Sequence, residues 1–262
     1  MHVGIVIPLK SKKISRDWQV TCQSLHATLR SIENQTNRSF TAIVVGHEKP
    51  DFLAHDFPNI MFESIDIPPP DRTSKDFTHQ KLVEDKNLKI LQGLISLKKT
   101  NVFDYWYQLD ADDLIRYDFV ESLSSLTEES GVLINGGLIF YSAQNRYIYT
   151  KELSVHCGST SVISNSIISV PPDIKDDLVS NVPWLSISHK NMLNFFIENH
   201  NTNFVIQNLP VVAYNLNTGD NISENWRRSI ISKFKSFLKP YLLGKKISND
   251  LLIKFGQAEK EG

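Results

Sequence analysis

The chain has 262 residues, 41% of them hydrophobic, and its 28 Lys and Arg against 29 Asp and Glu leave a formal net charge of −1. That length suits one large α/β domain or two small ones with a real core, and the near-neutral charge argues against a general nucleic-acid binder. Cys22 and Cys157 supply neither a disulfide framework nor metal-site spacing, so the expectation is two buried free thiols in a reducing compartment.

Strand-like sequence starts at Val3 and runs to Leu9, with no basic leader before it. No apolar run approaches the ~18 residues of a membrane span. The expectation is a cytosolic protein that does not cross the bilayer. Lys10 to Lys13 form a basic, serine-containing loop. Leu25, Leu29 and Ile32 share one helical face, and Asn34 to Asn37 end that helix. Phe40 to Gly46 reads as a second buried strand that stops at Gly46-His47-Glu48. Strand, helix and strand within about fifty residues make a βαβ unit, a parallel pair with a right-handed crossover. The polar ends of both strands would then open on one crevice. Ile60 to Ile67 reads as a strand ended by Pro68-Pro69-Pro70, and Asp71 to His79 as an irregular loop or lid. Leu82 to Leu97 is a helix with Leu88, Leu91, Leu94 and Ile95 on one stripe, and Asp85, Lys86 and Lys89 lie toward its start.

Next comes Tyr105-Trp106-Tyr107-Gln108-Leu109, an apolar strand that runs into Asp110-Ala111-Asp112-Asp113. The acids fall at a strand end, where open α/β sheets place their ligand crevice. Alternate residues of an extended chain point the same way, so Asp110 and Asp112 would converge on one ligand. Hard oxygen donors in this number suit Mg²⁺ or Mn²⁺, with a phosphate completing the shell. A solvated acidic turn capping the next helix is the other reading. Lys86 and Lys89, on the helix that feeds the acidic strand, would share a diphosphate with the metal.

Phe119 to Leu126 reads as a helix, Gly131 to Tyr141 as a strand with a glycine break, and Val155 to Ile163 as a small-residue turn leading into a strand. His189 to Asn199 is a helix, and Phe204 to Ile206 and Val211 to Tyr214 are short strands. Asn217 to Ser223 is a loop. Between Asn225 and Phe255 there are eight Lys or Arg and one Asp, with Phe234, Phe237, Leu238, Tyr241 and Leu242 at helical spacing. Such a helix either lies on an anionic membrane surface or packs on the domain with a solvated basic face.

Five segments in order resemble glycosyltransferases of the GT-A fold, family 2-like kind. They are Ile5-Val6-Ile7-Pro8, the helix Ala27 to Thr36, Ile43-Val44-Val45, the Asp85-Lys86-x-x-Lys89 helix start, and Leu109-Asp110-Ala111-Asp112-Asp113. The likeness covers about residues 3 to 120. It implies a Rossmann-like, mostly parallel central sheet flanked by helices. The implied organisation is a glycosyltransferase domain over 1–224, with a nucleotide-sugar half (1–120) and an acceptor half (121–224), followed by a basic amphipathic tail over 225–262. It implies that Pro8 and Leu9 line the nucleotide pocket. Glu48 takes the base or ribose contact, where family members usually carry an Asp pair. Asp85 and Lys86 approach the ribose or diphosphate. Asp110 faces ribose and metal, and Asp112 ligates Mn²⁺ or Mg²⁺. The implied donor is a nucleotide-diphospho-sugar, UDP by family habit. The implied acceptor is a glycan or lipid-linked molecule in surface polysaccharide synthesis; a lipid-linked one would suit the membrane reading of the tail, a peripheral contact on the inner face.

An inverting member needs a carboxylate base, for which Asp173, Asp176 and Asp177 are the candidates; a retaining member need not show one. His156 and His189 are candidate metal or diphosphate ligands, and His189 is also a candidate catalytic group. Trp184 would stack on a sugar or sit in the core, and Asn221 and Ser223 would close over the donor. A phosphohydrolase would carry its Asp-x-Asp on the first strand, a calcium loop needs further acids and a glycine, and Leu9-Lys10-Ser11-Lys12 is no glycine-rich phosphate loop. The rival from another class is a catalytically silent nucleotide-sugar or carbohydrate-binding module.

Overall fold

The computed structural model describes residues 1–124, 131–174, 182–200, 204–216 and 230–259. Strand β1 (Val3–Pro8) is buried along its whole length and organises both layers around it. Val3, Ile5 and Ile7 face Leu25, Leu29 and Ile32 of helix α1 (Trp18–Glu33). Val6 faces the opposite side. Strand β2 (Phe40–Gly46) alternates in the same way, with Ala42 and Val44 toward α1 and Ile43 and Val45 away from it. A strand covered on both faces has no polar side to show, hence the unbroken apolar runs.

Helix α1 begins earlier than Leu25, because Asp17 caps it by accepting from the Gln19 and Val20 amides at 2.8 and 3.2 Å. A short helix α2 (Leu53–Asp56) precedes β3 (Met61–Ser64), which is shorter than the expected Ile60 to Ile67. Helix α3 (His79–Lys98) covers the second face with Ile90, Leu91, Leu94 and Ile95. It comes close at Gly93, where a Cβ would lie 2.4 Å from Val6 Cγ1. Strand β4 (Tyr105–Gln108) pairs with β1, and β5 (Leu114–Ile115) and α4 (Phe119–Ser124) follow the acidic turn.

The expected glycine break divides the segment Gly131 to Tyr141 into two strands. β6 (Gly131–Ile134) joins the main sheet, while β7 (Gly137–Tyr141) crosses to a second sheet. Between them Gly136 lies so close to Asn208 that a Cβ would sit 1.9 Å from its carbonyl oxygen. Strand β8 (Arg146–Thr150), unread in the sequence, pairs with β7. Helix α5 (Leu153–His156), β9 (Ser161–Ser164), α6 (Met192–His200), β10 (Val205–Gln207) and β11 (Val212–Leu216) complete the body.

Among the described residues the main sheet has seven strands in the order β10-β6-β9-β4-β1-β2-β3. It is a mixed α/β architecture, a central and mostly parallel sheet flanked by helices; β9 alone runs antiparallel to its neighbours β4 and β6. Because β9 is reversed, its start lies beside the end of β4, and that brings residues 157–160 to the acidic turn.

After helix α7 (Ile230–Leu243) the chain returns to the body. Strand β12 (Lys245–Lys246) pairs with β8, and α8 (Asn249–Lys254) leads to Phe255, fully buried against Phe140 at 5.5 Å. Gln257 donates to the Ala27 carbonyl at 2.9 Å, and the Tyr117 amide donates to the Lys254 carbonyl at 2.8 Å. The last part of the expected tail is therefore packed into the domain. No helix among the described residues is long and apolar enough to cross a membrane.

Candidate active site

The carboxyl ends of β4, β1 and β2 lie side by side, each bringing a polar segment to one edge of the sheet. The Leu9 amide continues the ladder to Val45 and the Leu109 amide continues it to Val6, so the chain stays extended until Asp110. The Asp113 amide then closes a tight turn on the Asp110 carbonyl at 3.1 Å.

That turn sends its three acids to different places. Asp110 is half-buried and accepts Lys86 Nζ at 2.6 Å, with Gln108 Nε2 at 3.4 Å. Burial works against the charge on Lys86, but Asp110 and the other negative groups around it more than offset this and raise its pKa. Asp112 is half-buried beside them; burial first and Asp110 second lift its carboxyl from 3.8 to about 6, against the pull of Lys10 and Lys86. Asp113 points the other way and has no exposed surface. It accepts Ser159 Oγ at 2.6 Å, Cys157 Sγ at 3.0 Å and the Asn215 amide at 3.3 Å. Burial, then Asp112 and Asp110, raises it well above the usual carboxylate range. Ser159 Oγ also accepts the Asp110 amide at 2.9 Å, so one hydroxyl holds both ends of the turn. Of the triplet, Asp110 and Asp112 face the crevice, and Asp113 is a fastening inside the fold.

Gly158 closes the far side. A Cβ there would lie 3.0 Å from Asp110 Oδ2 and 3.2 Å from Lys86 Nζ, so the backbone runs directly against the ion pair. His189 approaches from the second half of the chain. Its Nδ1 meets the Ser154 carbonyl at 2.5 Å; a carbonyl can only accept, so Nδ1 carries the proton and Nε2 keeps its lone pair. Burial holds the imidazole below its ordinary pKa, with Lys86 adding to that and Asp110 opposing it.

Several residues chosen from the sequence lie elsewhere or do other work. Pro8 and Leu9 are buried, and Leu9 packs against Gly46 rather than opening on the crevice. Glu48 is half-buried at the end of β2 and accepts the Lys12 amide at 2.9 Å, tying the loop after β1 to β2. Asp85 accepts Lys89 Nζ at 2.6 Å, and Lys89, 1% exposed, is enclosed by the fold; it is not available to a diphosphate. Trp184 belongs to the core on the α3 side. His156 is exposed on α5, and Asp173 is exposed as well. Asp176, Asp177, Asn221 and Ser223 lie outside the described residues. Cys157 is buried and Cys22 half-buried.

The sequence places other groups, Lys10 and His47 among them, at the crevice only as polar strand ends, with no role of their own. Lys10 acts on Asp112 from the loop after β1, and its signal was the basic run that starts where the strand stops. His47 is nine-tenths buried; its Nε2 lies 2.8 Å from the Ile67 carbonyl and 3.9 Å from Asp85, while Nδ1 and the buried Ser11 Oγ have no hydrogen-bond partner among the described residues.

Among the described residues no three His, Cys, Asp or Glu side chains come together to hold a metal unaided. Asp110, Asp112 and His189 thus do not form a closed ligand set. Two crevice-facing carboxylates nonetheless match the way Mg²⁺ and Mn²⁺ are often held, through one or two protein oxygens with phosphate and water supplying the rest. Burial first, and Asp110 second, work against the charged form of Asp112, while Lys10 and Lys86 favour it.

No protein-family model matches the chain, and no curated protein matches it. Among solved structures, S. aureus TarS 1-349 is similar over 82% of this chain and 60% of its own, at 10% identity and a TM-score of 0.46. The same fragment in complex with UDP is similar over 84% and 62%, at 10% identity and a TM-score of 0.48. In complex with UDP-GlcNAc the shares are 83% and 59%, again at 10% identity and a TM-score of 0.48. The chain spans about three fifths of the length of these structures.

Proposed function

We propose that the chain is a GT-A-type glycosyltransferase that takes a sugar from a nucleotide-diphospho-sugar, with UDP-sugars the first donors to test. The acceptor is a glycan or lipid-linked hydroxyl in surface polysaccharide synthesis. The observation that carries this reading is the meeting of Asp110 and Asp112 with Lys86 and Lys10, drawn from three separate elements, at the carboxyl edge of the sheet.

Asp112 and Asp110 would hold Mn²⁺ or Mg²⁺ together with the donor's phosphates. A bound divalent ion supplies positive charge where the departing diphosphate gains negative charge. Lys86 and Lys10 add fixed positive charge on either side. Gly158 lets the donor approach the Asp110–Lys86 pair without a side chain in the way. Glu48, half-buried at the end of β2, offers its second carboxylate oxygen for the nucleoside. His189, neutral near pH 7 with an open Nε2, is the described group best suited to accept a proton from an acceptor hydroxyl.

The test is release of free nucleoside diphosphate from a sugar-nucleotide panel with Mn²⁺, for the native chain and for Asp112→Ala. Turnover that Asp112→Ala abolishes, with unchanged circular dichroism, supports the reading. Binding without release would make the chain a binding module, and full activity in Asp112→Ala would remove the metal assignment.

A further inference from the structure

Helix α7 ends in an apolar surface that the fold leaves uncovered. Phe237 and Tyr241 are 52% and 47% exposed, and Leu242 and Leu243 are 77% and 68% exposed. The Phe237 and Tyr241 rings stack one turn apart at 5.6 Å.

This end is held firmly. The Gly244 amide closes on the Pro240 carbonyl at 2.9 Å, and Arg146 Nη1 donates to the Gly244 carbonyl at 2.9 Å. The Arg146 guanidinium also lies over the Tyr241 ring at 5.2 Å, and β12 pairs with β8 immediately afterwards. Two adjacent leucines so exposed on an anchored helix end form a patch of the kind that marks a docking surface.

Lysines surround it. Lys239, Lys245 and Lys246 are all exposed. Lys239 reaches the electrostatic neighbourhood of His156, as does Lys190. Asp250 in α8 is the acid closest along the chain, and Glu152 acts on His156 together with Lys239. From Asn225 to Phe255 the sequence has eight basic residues and one Asp, in a chain whose overall formal charge is −1. The positive charge is thus concentrated on this segment.

Charge and area select the occupant. In a symmetric pair of chains each copy would bring its lysines against the other's, since a two-fold interface sets one patch on itself. The four apolar side chains offer roughly 400 Å², at the 150–250 Å² that one large side chain can bury. A stable protein interface needs about 800 Å² per partner. Aromatic and leucyl side chains with a lysine rim instead match an anionic lipid surface, whose headgroups take the lysines and whose acyl boundary takes the apolar groups.

We propose that the end of α7, with β12, is a docking surface for anionic lipid. The surface adjoins the candidate site: Lys239 neighbours His156 on α5, and the Ser154 carbonyl of the same helix holds His189. A headgroup-linked acceptor would thus meet the crevice from the membrane side. Docking itself does not depend on the sugar-transfer reading, and its test needs no turnover.

The experiment is co-sedimentation of the full chain with phosphatidylcholine vesicles, with and without added phosphatidylglycerol, at low and high salt. Native protein should pellet with the anionic vesicles and be released by salt. Replacing Leu242 and Leu243 by Ser should weaken pelleting at least about tenfold. Replacing Lys239, Lys245 and Lys246 by Gln should weaken it about a hundredfold, from about fivefold per lysine. Both variants change exposed side chains, and their melting temperatures are read alongside. Equal pelleting with neutral vesicles, or pelleting unchanged in both variants, would overturn the proposal. So would a native dimer in sedimentation equilibrium that the leucine variant dissociates, because the patch would then be a subunit interface.

Discussion

Asp112→Asn separates a crevice that requires a cation from a solvated acidic turn. In the native fold burial and Asp110 raise the Asp112 carboxyl from 3.8 to about 6. A carboxyl raised on folding favours the protonated native state, so its contribution is full below the unfolded value and is lost as pH rises through the folded one. The shift of about two units corresponds to about 3 kcal/mol at ~1.4 kcal/mol per unit, which solvent screening at a half-buried site trims to roughly 1.5–3 kcal/mol. Asn has no proton to lose. Urea unfolding followed by far-ultraviolet circular dichroism between about pH 4 and 7 should therefore show native stability falling relative to Asp112→Asn by that amount. Asp113 is raised in the same direction, by burial in both proteins and by Asp112 in the native one alone, so the share it owes to Asp112 adds to the difference. Mn²⁺ at about a hundred times its dissociation constant should return about 2.7 kcal/mol to the native protein at pH 7 and much less to the variant. Parallel pH profiles for the two proteins would refute the argument, since they would mean that Asp112 titrates as though in water.

The remaining expectations sort the other polar groups by role. Asp113→Ala should cost about 2–4 kcal/mol in urea, because Ser159 Oγ, Cys157 Sγ and the Asn215 amide lose their common acceptor in a fully buried place. Lys89→Met should cost about 3 kcal/mol by removing the enclosed lysine from Asp85, itself only 14% exposed, whereas Lys86→Met, at a pair with 30% and 24% exposed side chains, should cost about 1 kcal/mol. Calorimetric titration with UDP and Mn²⁺ should reverse that order, Lys86→Met weakening binding and Lys89→Met leaving it near native once folded. Gly158→Ala should lower affinity for the same pair about tenfold with little change in melting temperature, since its Cβ would crowd Asp110 and Lys86 without entering the core.

What could be read in the sequence follows from how each segment is buried. β1 and β2 have cover on both faces, so each appears as an apolar run of its own length. The acidic turn stands out because a buried strand stops at it. An apolar run does not reveal which sheet it joins: the glycine break in Gly131 to Tyr141 is legible, but not that its two halves enter different sheets. Nor do three neighbouring carboxylates reveal that the third points inward, which depends on Ser159 and Asn215, residues far along the chain. Lys86 and Lys89 differ for the same reason. Three residues further along, α3 passes under the sheet, and what was a crevice side chain becomes an enclosed one. The first two turns of α1, between the Asp17 cap and Leu25, bury no side chain fully, so no apolar stripe marks where the helix starts.

The same long-range fastenings bear on how the chain divides. A nucleotide half over 1–120 and an acceptor half over 121–224 would be natural if each closed its own core. Instead β9, from the second half, lies against β4 and covers Trp106 and Tyr107 through Ile163 and Val162. The Tyr107 hydroxyl donates to the Ser159 carbonyl at 2.9 Å, and Ser159 in turn fixes Asp110 and Asp113. Residues 1–124 alone would expose the edge of β4, strand a buried tyrosine hydroxyl and leave Asp113 without its donors, each a cost of about 1–3 kcal/mol. Against a total stability of about 5–15 kcal/mol for a whole domain, that fragment should not hold the acidic turn in place. It should bind neither Mn²⁺ nor UDP and should show no cooperative unfolding. A fragment that melts cooperatively and binds Mn²⁺ with native affinity would mean that the turn is set by β1 and β4 alone, and that Ser159 and Asn215 only rest upon it.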